Sequence, residues 1–301
     1  MVTLKEKVSG IYPPVVTPFH DDELDLKGLA ENIKKLNKTK LRGYFVCGTN
    51  GEFKSLSVEE RLQVIETAVQ NAADDKVVMA GTAAESTKVT IDITRQAAEI
   101  GAELVSLLVP SFFKKIIDDE VIINYILEVA DASPVPVLIY NNPSVTGGVL
   151  VSPEVITAIS KHPNVGGMKD SSKGNFESYI KAAGENFYVL AGSAGFLLDL
   201  LKAGGTGGVV SLANVFPGDC AEVYDAYMHG DLAKAEKLSD DLIALNKQIS
   251  GTYSVAGVKA AMDVAGFQGG APRRPLKTLS EDQVQGIRKA IQQSPFGPGK
   301  E

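Results

Sequence analysis

Short apolar runs rich in β-branched residues recur along the chain, at Ile11–Thr17, Gly43–Cys47, Val77–Gly81, Leu104–Val109, Val135–Tyr140, Val165–Lys169, Tyr188–Gly192 and Gly207–Ser211. Between them lie longer stretches, such as Leu26–Leu36, Val58–Val69 and Thr87–Ile100, whose apolar residues fall at three- and four-residue steps. The first pattern predicts strands and the second amphipathic helices. Ser57, Ser86 and Ser152 stand where helix N-caps are expected, each just before a helical stretch.

The runs are almost continuously apolar and do not alternate, which suits parallel strands covered on both faces. About eight β-α units without an intervening linker predict an α/β fold, one (β/α)8 TIM barrel over residues 1–230. An open doubly wound sheet is the alternative, but the G-x-G-x-x-G fingerprint after the first strand is missing. From about Leu232 onward only helical patterns remain, among them V-A-G-V-K-A-A-M-D-V-A and S-E-D-Q-V-Q-G-I-R-K-A-I. Residues 231–301 are therefore expected to form a C-terminal helical extension packed on the barrel, with the tail S-P-F-G-P-G-K-E frayed.

Composition narrows the function classes. The 301 residues are 44% hydrophobic and carry a formal net charge of −7, enough chain for a large core and no basic footprint for nucleic acid. No window nears the roughly 18 apolar residues of a membrane span, and the N-terminus lacks the apolar core of a signal peptide. Cys47 and Cys220 form neither a disulfide framework nor a metal spacing, and His20, His162 and His229 are scattered. The expectation is a cytoplasmic protein without a metal, membrane or nucleic-acid partner.

In such a barrel the chemistry sits at the C-terminal ends of the strands. Those ends carry C-G-T-N-G-E (Cys47–Glu52), Y-N-N-P (Tyr140–Pro143), K-D-S-S (Lys169–Ser172), A-G-S-A-G-F (Ala191–Phe196) and S-L-A-N (Ser211–Asn214). Lys169 closes the glycine-padded apolar run Val165–Met168. A lysine in an apolar pocket loses part of its charge, and the free amine attacks a carbonyl to form a Schiff base. Tyr140, one strand over, offers a phenol that both donates and accepts protons. The turn at Gly48, Thr49 and Asn50 presents closely spaced donors suited to a carboxylate. Lysine, phenol and carboxylate cradle together describe a 2-oxo acid site.

Each signal alone also has a structural reading. Lys169 snorkels, Tyr140 is core with a satisfied hydroxyl, the glycines make an ordinary turn, and Glu52 and Asp170 cap helices. What favours chemistry is their convergence at one end of one barrel.

With P-P-V-V-T-P-F (Pro13–Phe19), G-T-N-G-E (Gly48–Glu52), Y-N-N-P-S-V-T-G (Tyr140–Gly147), G-G-M-K-D (Gly166–Asp170) and L-A-G-S (Leu190–Ser193) in this order, the chain resembles the dihydrodipicolinate synthase/N-acetylneuraminate lyase family of class I aldolases. Within it, V-L-A-G-S-A-G-F, S-L-A-N-V and F-Q-G-G-A-P-R-R-P-L are most similar to the 4-hydroxy-2-oxoglutarate aldolases. The resemblance implies a homotetramer with no cofactor, acting on pyruvate and an aldehyde. By position it implies that Lys169 forms the Schiff base, Tyr140 shuttles protons and Thr49 bonds that tyrosine. Asn50, next to Gly48 and Thr49, holds the substrate carboxylate; Gly192 and Ser193 line the channel; and Ser211 faces the lysine from the last strand.

Two positions depart from the family pattern. Phe112–Phe113 replaces a tyrosine pair whose second member extends the proton relay in a neighbouring subunit, and Val145 replaces the arginine that dihydrodipicolinate synthases use to hold the aldehyde's carboxylate. The favoured activity is cleavage or formation of a 4-hydroxy-2-oxo acid such as 4-hydroxy-2-oxoglutarate. The alternatives are 4-hydroxy-tetrahydrodipicolinate synthesis from pyruvate and aspartate semialdehyde, and a non-catalytic 2-oxo acid sensor.

Overall fold

A computed structural model describes residues 2–296. Eight parallel strands follow one another around a barrel: β1 (Gly10–Tyr12), β2 (Gly43–Val46), β3 (Val77–Gly81), β4 (Leu104–Leu108), β5 (Val137–Asn141), β6 (Val165–Asp170), β7 (Tyr188–Ala191) and β8 (Gly207–Val209). The ladder runs continuously from β2 through β8 to β1. It closes where Val15 N–H donates to Phe45 O at 2.8 Å and Phe45 N–H to Pro13 O at 3.0 Å. The first strand is shorter than the expected Ile11–Thr17, because Pro13 and Pro14 have no N–H for a ladder and meet β2 only through the Pro13 carbonyl and the bridge between Pro14 and Phe45. The last strand is shorter too: Ser211 is not on it but opens a 3₁₀ turn over Ser211–Asn214.

The helices begin where their caps dictate. Ser57 and Glu60 form a reciprocal capping box at the start of Val58–Asn71, and the hydroxyls of Ser86 and Ser152 accept the N–H groups of Val89 and Val155. Tyr12, Phe45, Val77, Met79, Leu104, Leu138, Leu190 and Val209, all buried, form one cluster on the inward faces of the strands. The outward faces pack on the surrounding helices in a second, larger core.

That larger core also contains Leu242, Val258 and Ile287, from helices spanning Leu232–Gln248, Ser250–Val264 and Glu281–Gln293. The helical extension is thus packed on the barrel as expected. Its tail is not frayed where the structure describes it: Ser294 N–H donates to Ala290 O at 3.0 Å, and the Phe296 ring lies 5.8 Å from that of Phe216. Residues 297–301 of the expected frayed tail lie outside the described residues. No helix among the described residues is long and apolar enough to cross a membrane.

Candidate active site

Register brings the two principal groups together. On β5 and β6 Tyr140 pairs with Lys169, so both side chains leave adjacent strands on the same, inward face. Gly167 explains part of the glycine padding before the lysine, since a Cβ there would lie 2.2 Å from the Tyr188 carbonyl oxygen of β7. The chain passes too close to its neighbour for any side chain.

Lys169 is 3% exposed, and its Nζ lies 3.9 Å from the Tyr140 ring centroid and 5.1 Å from that of Phe45. Among the described residues no carboxylate pairs with it. Burial therefore pushes the amine below the ordinary lysine value, with the Tyr140 phenol opposing the shift. For Tyr140 burial acts upward. The Lys169 charge and the hydrogen bonds from Thr49 and Asn142 outweigh it and bring the phenol down. The two groups share one dry pocket in which each governs the other's proton.

The phenol is fixed by two contacts. Thr49 Oγ1 lies 3.1 Å from Tyr140 Oη, and Asn142 Nδ2 donates to the same oxygen at 2.8 Å. Ser144 Oγ donates to Asn142 Oδ1 at 2.6 Å and so sets which way the amide points. Thr49 comes from the turn after β2, where Gly48 is required: a Cβ at that position would meet the Phe45 ring at 2.5 Å. In the same turn Asn50 is 9% exposed, and its Nδ2 has no hydrogen-bond partner among the described residues. A buried donor left open, in the turn that also supplies Thr49, is suited to an anionic oxygen.

The remaining expected residues make local contacts at the strand ends. Gly192 N–H donates to Asp170 O at 2.6 Å, holding the end of β7 against the end of β6. The Ser193 hydroxyl accepts the Gly195 N–H at 3.1 Å and so caps a short turn. Ser211 is half-buried, and its carbonyl accepts from Asn214 Nδ2 at 3.0 Å. Asp170 bonds the Ser172 N–H through Oδ1, a local turn contact, while Glu52 caps nothing with its side chain. Glu52 Oε1 instead lies 2.6 Å from Lys259 Nζ, both side chains being 1% exposed, and its Oε2 accepts the Arg273 N–H at 2.9 Å.

Sequence reasoning missed three contributors. Asn142 stands two residues beyond the tyrosine that drew attention. Phe45 was one residue of the expected strand Gly43–Cys47 and carried no signal of its own. The cavity of about 220 Å3 at the mouth is lined by Thr49, Leu108 and Val145 together with Ser254, Val255 and Leu276 from the helical extension. Only the first carried a local signal, the polar pair that ends an apolar strand.

Known proteins resemble this chain over nearly its whole length. The sequence model of the dihydrodipicolinate synthetase family matches residues 7–294. A probable mitochondrial 4-hydroxy-2-oxoglutarate aldolase of Emericella nidulans is 32% identical over 95% of this chain and 95% of its own. A 4-hydroxy-tetrahydrodipicolinate synthase of Methanothrix thermoacetophila is also 32% identical, over 94% of this chain and 95% of its own. Among solved structures, an E. coli K12 prophage protein of the dihydrodipicolinic acid synthase family, in complex with pyruvate, superposes with a TM-score of 0.88 at 28% identity, covering 95% of this chain and 98% of that one. With matches of this extent in both sequence and structure, the chain belongs to the dihydrodipicolinate synthetase family.

Proposed function

We propose that this chain is a pyruvate-dependent class I aldolase whose favoured substrate is a 4-hydroxy-2-oxo acid such as 4-hydroxy-2-oxoglutarate. The observation that carries the reading is the pairing of a buried, carboxylate-free lysine with a hydrogen-bonded phenol on adjacent strands. Lys169 Nζ adds to the 2-oxo carbon, and loss of water gives a protonated imine. Thr49 and the open Asn50 amide hold the adjacent carboxylate. Tyr140 takes the proton from the 4-hydroxyl. The C3–C4 bond then breaks, its electrons pass into the imine, and an aldehyde leaves. The enamine left on Lys169 takes a proton at C3, and hydrolysis of the imine releases pyruvate. Gly192, Ser193 and Ser211 line the approach to the lysine.

Condensation of pyruvate with aspartate semialdehyde is the second reading, favoured by relatives named 4-hydroxy-tetrahydrodipicolinate synthase. Val145 weighs against it, because that half-exposed valine at the mouth offers no charge for the aldehyde's carboxylate. A mere 2-oxo acid sensor needs neither a dry amine nor a hydrogen-bonded phenol. We also read the enzyme as a cytoplasmic homotetramer. Two buried, unpaired cysteines fit a reducing compartment, and Phe112 and Phe113, 78% and 63% exposed, fit burial against another copy. We take the boundary between barrel and extension to fall between residues 230 and 231, just before the Leu232–Gln248 helix.

Borohydride trapping with pyruvate followed by peptide mass spectrometry tests the assignment, and the label is expected on Lys169. A label on another lysine, or none, overturns it. Measuring kcat/KM for 4-hydroxy-2-oxo acids against aspartate semialdehyde separates the two substrate readings.

A further inference from the structure

The helix Ser250–Val264 is interrupted at Ser254, whose φ of 51° and ψ of −139° belong to a region that residues with a Cβ rarely adopt. Strain of this kind persists only where the surroundings over-determine it. Before it, Thr252 Oγ1 donates to Lys247 O at 2.8 Å and Tyr253 N–H to Ile249 O at 2.9 Å. After it, Lys259 Nζ is tied to Glu52 at 2.6 Å and to Ala271 O at 2.8 Å. Ser254 is thus pinned between an anchored turn and a buried ion pair that ends on the same β2 turn as Thr49 and Asn50.

The strained residue is also at the mouth of the site. It shares the cavity of about 220 Å3 with Thr49, Leu108, Val145 and Val255. The nearby charges in the cavity wall are already engaged. Both Glu52 oxygens are bonded, and Lys54 Nζ is paired with Glu85 at 2.9 Å. Ser254 is exposed and lines the cavity, and its hydroxyl makes no hydrogen bond among the described residues.

We infer that Ser254 determines specificity at the aldehyde end of the substrate: its strained backbone aims an uncommitted hydroxyl at an oxygen carried by the distal carbon of a 4-hydroxy-2-oxo acid, between apolar walls. The inference rests on the aldolase reading above. It selects short substrates with an oxygen-bearing distal end over those ending in a methyl group, and it gives the helical extension a role in substrate choice. Ser254 takes no part in forming the imine or the enamine.

The test uses the full chain and its Ser254→Ala and Ser254→Gly variants. Activity is measured on 4-hydroxy-2-oxoglutarate and on 4-hydroxy-2-oxopentanoate, the same skeleton with a methyl end. Deuterium exchange at the methyl group of pyruvate is followed alongside. Both variants are expected to lose about tenfold in kcat/KM on the first substrate, the low end for one hydrogen bond to a carboxylate, and less than about twofold on the second. Exchange is expected to continue at the parent rate. Ser254→Gly is also expected to unfold at a higher temperature than the parent, because glycine accepts the strained dihedrals. Equal losses on both substrates, or none on either, with exchange intact, overturn the inference alone. Absence of exchange in the parent chain overturns the aldolase reading, and the inference falls with it.

Discussion

Lys169 and Lys259 are both buried, at 3% and 1% exposure, and both amines lie over aromatic rings, 3.9 Å from Tyr140 and 4.4 Å from Phe19. Burial lowers the pKa of each. Their surroundings differ in one decisive respect. Lys259 has a carboxylate at 2.6 Å and a carbonyl at 2.8 Å, whereas Lys169, among the described residues, has only a phenol. Glu52 pulls the Lys259 amine back toward its charged form, so that lysine serves as a clamp between the β2 turn and the helical extension. A dry pocket therefore does not by itself make a lysine a nucleophile. The missing counter-ion is what leaves the electron pair available.

Exchanging the two roles should produce the largest effects. Lys169→Ala is expected to abolish both turnover and borohydride labelling with pyruvate, while Lys259→Met retains the label on Lys169 in the folded protein. Stability should move in opposite directions. Burial holds the folded Lys169 pKa below the unfolded value of about 10.4. Between the two values the unfolded chain binds more protons, so the site's contribution to stability rises with pH across that window. Below it the desolvated amine costs stability. Lys169→Met should therefore unfold at a higher temperature than the parent near neutral pH, with the gap closing as pH approaches about 10.4. A gap that widens with pH would contradict the assigned direction.

Next in size is the phenol. Tyr140→Phe keeps the ring against Lys169 and removes the hydroxyl that Thr49 and Asn142 hold. Turnover is expected to fall by about 10²–10⁴, the range for one general acid–base group, while pyruvate still traps on Lys169. Loss of trapping along with turnover would mean that the phenol is needed to make the imine and not only to break the C–C bond.

Lys259→Met comes third and leaves Glu52 buried without its cation. The cost is expected to be about 3–5 kcal/mol, read from denaturant unfolding. Adding Glu52→Gln should recover part of it, since the second change removes the uncompensated charge. A double variant no more stable than the single one would argue that the clamp acts through Arg273 instead, whose N–H also meets Glu52.

The difference between the lysines also explains what was legible in the chain. Lys169 stands out because its neighbours are Val165, Gly166, Gly167 and Met168, a local pattern that also locates β6. Lys259 sits in V-A-G-V-K-A-A-M, which reads as an ordinary helix, and its partner Glu52 is over 200 positions away. Seven of the strands and the three serine caps follow from local period and capping chemistry, to within a few residues at their ends. The end of the first strand does not, since Pro13 and Pro14 interrupt its ladder. Ser211 was misplaced because an apolar run into S-L-A-N looks the same whether it extends or turns. The mouth of the site was illegible for the same reason as Lys259: Ser254, Val255 and Leu276 reach it only through packing of the extension onto the barrel.

Asn142 lies between these extremes, and its removal should have the smallest effect. It follows Tyr140 by two positions, and its amide is steered onto the phenol by Ser144. A hydrogen bond donated to the phenolic oxygen stabilises the phenolate more than the phenol, which is one reason the Tyr140 pKa is brought down. Asn142→Ala removes that donor, so the phenol must rise and less phenolate is present to take the 4-hydroxyl proton. Turnover near neutral pH is expected to drop about tenfold. The alkaline movement of the ascending, low-pH limb of the kcat profile is the more telling sign. Removing Thr49 Oγ1 as Thr49→Val should move the limb the same way, because both hydrogen bonds lower the same phenol. If Asn142→Ala lowers kcat without moving the limb, the amide holds Tyr140 in place but does not set its proton affinity, and control of that proton passes to Lys169.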